Sequence, residues 1–197
     1  NIALATGSTQ WGDNQTYPWY ISGLPSYAAE ANAWAEYLKE ANPEAKVALL
    51  YQDDDFGQAY EKAFKKAIEG TDITVVDEAS FNPLSGTTTE AAVTKLSQSG
   101  ADTFVVGIGG TPCPKTLSLI PETWKPTTIV SVTCAGKTAL ALAETKILNE
   151  EVTLRAVFEG GAVTSLGGNI SRVTDTALSP PDPFAGPTAI VLYGRWS

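Results

Sequence analysis

Apolar runs of strand length recur between residues 47 and 132, and each gives way to a stretch with helical spacing. They are VALLY (Val47–Tyr51), ITVVD (Ile73–Asp77), TFVVGI (Thr103–Ile108) and TTIVSV (Thr127–Val132). Continuous rather than alternating apolar runs mark strands covered on both faces. Strand followed by helix, repeated, implies parallel strands joined by crossovers. The expected fold class is therefore α/β: a doubly wound parallel sheet with helices on both faces, in three layers, α/β/α.

The helices are legible from caps and periodicity. Ser26 stands as the N-cap of a helix running to about Asn42, with Tyr27, Ala31, Trp34 and Leu38 on its inward face. A second helix is expected over Gln58–Glu69, turning Tyr60, Ala63, Phe64 and Ala67 inward. Thr87 and Glu90 have capping-box spacing and open a third, to about Ser99. A short helix from about Lys115 to near Pro121 and another over Lys137–Glu144 complete the set. WYISG (Trp19–Gly23) and VTLRAVFEG (Val152–Gly160) read as further strands. After Gly160 the stretch SLGGNISRVTDTALSPPDPFAGP reads as loop, and Thr188–Tyr193 as an edge strand. The domain reading is one lobe over 1–165 and an irregular Gly/Pro-rich tail over 166–197.

Composition narrows the function. The 197 residues include no histidine, which removes Ser-His-Asp and Cys-His nucleophile systems and the commonest zinc ligand. A net charge of -9 disfavours nucleic acid, whose phosphates draw on clustered Lys and Arg. The opening residues NIALATGSTQW carry no initiator Met and no secretory signal pattern, leaving a mature product or a piece of a longer chain as the readings. Asn14-Gln-Thr16 and Asn169-Ile-Ser171 match the glycosylation pattern, which matters only in a eukaryotic source.

In an open parallel sheet, ligands bind beyond the carboxyl ends of the strands where strand order reverses. With the flavodoxin-like order 2-1-3-4, the facing loops are QDDDFG (52–57), GGTPCP (109–114) and TCAG (133–136). Asp53, Asp54 and Asp55 splay as consecutive residues and make a poor cage for a hard cation. Response-regulator receivers need an acid after the third strand, where this chain has GIGGTP, so no metal is expected. One Asp capping the helix and the others solvated is the plainer reading, with ligand contact by one of them as the competing one. GIGGT offers either close backbone approach to a ligand or a tight turn. Tyr27 and Phe56 stand to wall an apolar ligand or to pack in the core.

Cys113 follows the third strand and Cys134 the fourth. As neighbours ~4.8 Å apart, those strands would bring the cysteines within bridging range, with Cα atoms about 5.5–6 Å apart. A disulfide closing a loop of about twenty residues would stabilise the fold by roughly 3 kcal/mol and imply an oxidising compartment; the other reading is two buried thiols.

Several stretches together carry a family resemblance: TGSTQWGDNQTYPWYISGLPSYAAEANAWAEYL, KVALLYQDDDFGQAY, GADTFVVGIGGTP and WKPTTIVSVTCAG. Over about residues 5–165 the chain resembles the second lobe of type I periplasmic solute-binding proteins, in the branched-chain-amino-acid branch that serves ABC importers. The resemblance implies a two-lobed clamshell that binds a small ligand between lobes and presents it to a membrane permease, without catalysis and without a cofactor. It implies ligand contacts from Ser26, Tyr27, Asp55, Phe56, Gly110, Thr111, Thr133 and Cys134. It also implies a periplasmic or extracellular location, with a lipid anchor on the full-length protein as one arrangement. Family members that bind α-amino acids often carry a Tyr near Gly110 or Thr111 and an acid near Cys134. This sequence has neither, which widens the expected ligand to an amino acid, an amide or an aromatic or aliphatic acid. Residues after about 165 do not resemble the return path to a first lobe, so the chain is expected to supply one half of a cleft, its partner being the missing first lobe. The alternatives are a flavodoxin-like or Rossmann-like enzyme, and an interaction or sensor domain with a vestigial cleft.

Overall fold

Val47, Ala48, Leu49 and Leu50 are all fully buried, and successive side chains enter opposite hydrophobic clusters. That is the signature of a strand between two helical layers, and it organises the molecule. The computed structural model describes residues 2–22, 24–85 and 88–134, together with the backbone of strands at 155–156, 162–165, 171–174 and 192–195. In chain order the elements are β1 (Ile2–Leu4), β2 (Ile21–Ser22), α1 (Tyr27–Ala41), β3 (Lys46–Gln52), α2 (Asp55–Ala67), β4 (Thr74–Phe81), α3 (Glu90–Ser97), β5 (Thr103–Gly107), α4 (Pro112–Ser118), β6 (Thr127–Val130), β7 (Arg155–Ala156), β8 (Ala162–Ser165), β9 (Ser171–Thr174) and β10 (Leu192–Arg195). A 3-10 turn spans Thr9–Gly12.

The main sheet runs β4-β3-β5-β6-β10-β7. Its first four strands pair in parallel, so the order reverses between β3 and β5, the expected 2-1-3-4 arrangement. One layer of the core joins α1 and α2 to the sheet through Trp34, Leu38, Tyr60 and Phe64, against Val47, Leu49, Val105 and Ile129. The opposite layer joins α3 and α4 through Val93, Leu96, Cys113 and Leu117, against Ala48, Leu50, Phe104 and Val106. The chain is thus an α/β protein with the three layers that the apolar runs require. Among the described residues, no helix is long and apolar enough to cross a membrane.

Several boundaries differ from the sequence expectation. α2 begins at Asp55 rather than Gln58, because Asp54 accepts from the Gly57 N–H at 3.1 Å and caps the helix three residues earlier. α4 begins at Pro112 rather than Lys115, since proline's missing N–H costs nothing in a first turn. The N-cap position of α3 is Thr89; Thr87 lies outside the described residues, as does 137–144. Of 152–160 the structure shows strand at Arg155–Ala156. The segment read as loop contains β9, which pairs antiparallel with β8. Of the edge strand expected at 188–193, residues 188–191 lie outside the described residues; the structure shows strand at Leu192–Arg195, and β10 runs antiparallel between β6 and β7 rather than at an edge. β8 and β9 form a local hairpin, whereas β10 pairs at long range with β6 and β7.

Candidate functional site

The carboxyl ends of β3, β5 and β6 meet at one rim, and hydrogen bonds stitch the turns there. Gln52, the last residue of β3, accepts the Gly109 N–H through its side-chain oxygen at 2.7 Å. Its amide donates to Asp54 Oδ2 at 2.8 Å. The Asp53 N–H donates to the Phe81 carbonyl at 2.8 Å, joining the ends of β3 and β4. Ser131 Oγ donates to the Ile108 carbonyl at 2.9 Å and lies 2.9 Å from Thr133 Oγ1, joining the turns after β5 and β6.

The three consecutive carboxylates divide their work. Asp54 caps α2, while Asp55 stands exposed in the first turn, where the helix dipole favours an anion. Asp53 is exposed and accepts from Gln58 Nε2 at 3.2 Å. Among the described residues, no group of three or more His, Cys, Asp or Glu side chains is arranged to hold a metal ion.

Phe56 is half-buried, with its ring 4.8 Å from that of Tyr27 and 5.1 Å from that of Tyr60, centroid to centroid. A Cβ placed on Gly109 would come 3.2 Å from Phe56 Cζ and 3.2 Å from Thr133 Oγ1. Phe56, in the first turn of α2, therefore converges with Gly109 and Thr133 from the turns after β5 and β6. Thr133 is exposed at this point. Gly110 follows with φ 61, a left-handed backbone that suits glycine and turns the chain into α4.

The remaining expected contacts are more deeply committed. Ser26 Oγ accepts the Ala29 N–H at 3.1 Å as the α1 cap. Tyr27 is buried in the core, and its hydroxyl lies 3.3 Å from Thr6 Oγ1. Cys134 is fully buried and bonded to Cys113, with Cα atoms 5.7 Å apart, so its sulfur ties the β6 turn to α4. Thr111 is exposed and borders a separate groove of about 490 Å3 between the start of α3 and α4, where Phe81, Thr89, Pro112 and Lys115 are among the lining residues. Away from the rim, Trp11 stacks on Tyr20 at 4.8 Å, whereas Trp19 is 82% exposed.

Two rim residues escape the sequence reading. Gln52 is one. The other is Glu30, which is only 3% exposed yet carries a carboxylate. Its oxygens accept the Tyr60 hydroxyl at 2.5 Å and the Val132 N–H at 2.6 Å. Burial pushes the carboxyl up from the usual 4.5 to about 7, against the pull of those two hydrogen bonds. Burial and the Glu30 charge together push the Tyr60 hydroxyl up. Glu30 was detectable in principle: it lies three residues after Tyr27 and four before Trp34, a lone acid on an apolar helix face.

Comparison with known proteins finds the same fold. The chain overlays a crystal structure described as a branched chain amino acid ABC transporter from Thermus thermophilus with bound valine, with a TM-score of 0.66 and 21% identity, over 81% of this chain and 40% of that one. A substrate-binding periplasmic protein from Ralstonia solanacearum matches with a TM-score of 0.58 and 16% identity, over 66% of this chain and 36% of that one. A structure described as an ABC transporter permease from the Pseudomonas fluorescens group matches with a TM-score of 0.57 and 17% identity, over 72% and 36%. The chain thus spans 40% or less of the length of each. A search of curated proteins found no match. The family model described as periplasmic binding protein matches residues 1–154, and the chain belongs to that family.

Proposed function

We propose that this chain is the ligand-gripping half of an extracytoplasmic solute-binding protein that serves an ABC-type importer. It holds a small organic metabolite, an amino acid, an amide or an aromatic or aliphatic acid, against a first lobe of the same protein. The observation that carries this reading is the convergence of Phe56, Gly109 and Thr133 at the reversal point of the sheet. An aromatic wall, an open backbone and an exposed hydroxyl suit a ligand with an apolar body and a polar end.

Asp55 and Gly110 extend the same rim, Thr111 turns to the neighbouring groove, and Ser26, Tyr27 and Cys134 support the rim from behind. The mechanism is binding and closure: lobes that meet over the ligand create a surface that a membrane permease recognises, and no bond is made or broken. Residues 1–165 form the gripping lobe, and the later strand β10 adds to its sheet. With half of the cleft's contacts supplied elsewhere, the 197-residue chain alone binds weakly. Native mass spectrometry of the chain, purified without refolding, tests the reading: a small organic molecule carried along supports it, whereas a stoichiometric flavin or nucleotide would point to an enzyme instead.

A further inference from the structure

The turn after β6 is held from both helical layers. On the α3/α4 side the Cys113–Cys134 disulfide anchors it. On the α1/α2 side the hold is Glu30, through the Val132 N–H at 2.6 Å. A buried carboxylate is expensive without a cation beside it, and here burial, Tyr60 and Val132 account for its environment. Glu30 and Val132 are 102 residues apart in sequence, so the bond joins distant parts of the chain at the rim.

We propose that Glu30 is a positioning residue: its carboxylate fixes the Ser131–Cys134 turn through Val132 and thereby sets where Thr133 stands against Gly109. That the turn serves a ligand rests on the proposed function above; the clamp itself does not.

The titratable groups facing this site are Tyr60 from α2 and, next to Tyr60, Tyr27 from α1. The β6 turn contributes only the Val132 N–H, and among the described residues no Lys, Arg, Asp or second Glu shifts the Glu30 carboxyl. Glu30 takes and releases its proton near neutrality, and the charged form is the stronger acceptor. The clamp therefore tightens as pH rises through about 7.

Backbone amide NMR of the whole chain, from about pH 5 to about pH 9, tests the proposal without a ligand. The Val132 amide proton should move with one midpoint near neutrality, and Thr133 and Gly109 should follow the same midpoint. Glu30→Gln keeps shape and an acceptor, so its profile should be flat. A flat Val132 profile in the unsubstituted chain, or a titration that persists in Glu30→Gln, would overturn the proposal. If Glu30→Gln does not fold, the unsubstituted titration decides alone. Should the titration appear while no solute perturbs Thr133 or Gly109, the clamp stands and the ligand reading falls.

Discussion

The side chain of Gln52 accepts the Gly109 N–H at 2.7 Å and so couples the ends of β3 and β5 across the point where strand order reverses. Gln52→Ala should leave that N–H without its partner and free Asp54 from the Gln52 amide. The expected loss is about 1–2 kcal/mol of stability, read from urea unfolding midpoints. Gln52→Glu keeps an acceptor but sets a second carboxylate beside Asp54, so its deficit at pH 7 should shrink as pH falls.

Gly109 is fixed by proximity. Its added methyl in Gly109→Ala would meet Phe56 and Thr133 at 3.2 Å each, tighter than ordinary contact. A cost of roughly 1 kcal/mol is expected. Truncating Phe56 should relieve part of it. A double-mutant cycle with Phe56→Ala should therefore show the glycine substitution costing less in the truncated background.

Stability should vary with pH through Glu30. Its carboxyl lies at about 7 in the fold against the usual 4.5, so the folded chain retains a proton that the unfolded chain gives up. The stabilisation is full below about pH 4.5 and is lost as pH rises through about 7, a change of about 3 kcal/mol. Glu30→Gln should remove this slope and be the more stable protein at pH 8, as read from denaturation at several pH values. Asp77, held low by its hydrogen bond from Lys95, works in the opposite sense and in a lower window, below its usual 3.8.

Reducing the Cys113–Cys134 bond should lower the unfolding midpoint. The bridge closes a sequence separation of 21, worth roughly 3 kcal/mol of lost unfolded-state freedom. Denaturation with and without reductant measures it directly; an unchanged midpoint would contradict the role assigned to the bridge.

Much of this architecture was legible because its signals are local. Strand runs buried on both faces, the Ser26 cap and the inward Tyr27–Trp34–Leu38 stripe all follow from periodicity and capping chemistry. The strand order, and with it the meeting of Phe56, Gly109 and Thr133, follows from a topological preference. The Asp cap of α2 was expected, but both helix starts were placed three residues late: α2 opens at Asp55, directly after the Asp54 cap, and α4 opens at Pro112 within the stretch read as loop. β8 and β9 escape because Gly and small polar residues carry little strand signal until a partner strand supplies the hydrogen bonds, whereas the strand at β10 was expected and only its place between β6 and β7 was not. Glu30 escapes because its partners, Tyr60 and Val132, are 30 and 102 residues away.

Amide shift mapping during titration with a panel of free amino acids, amides and aliphatic and aromatic acids, at millimolar concentration, tests the rim most directly. At least one compound should move Phe56, Gly109, Gly110 and Thr133 together while leaving Lys46, Thr103 and Thr127, at the opposite ends of their strands, unmoved. Shifts gathered at those opposite ends, or none across the whole panel, would contradict a ligand site at the carboxyl rim of the sheet.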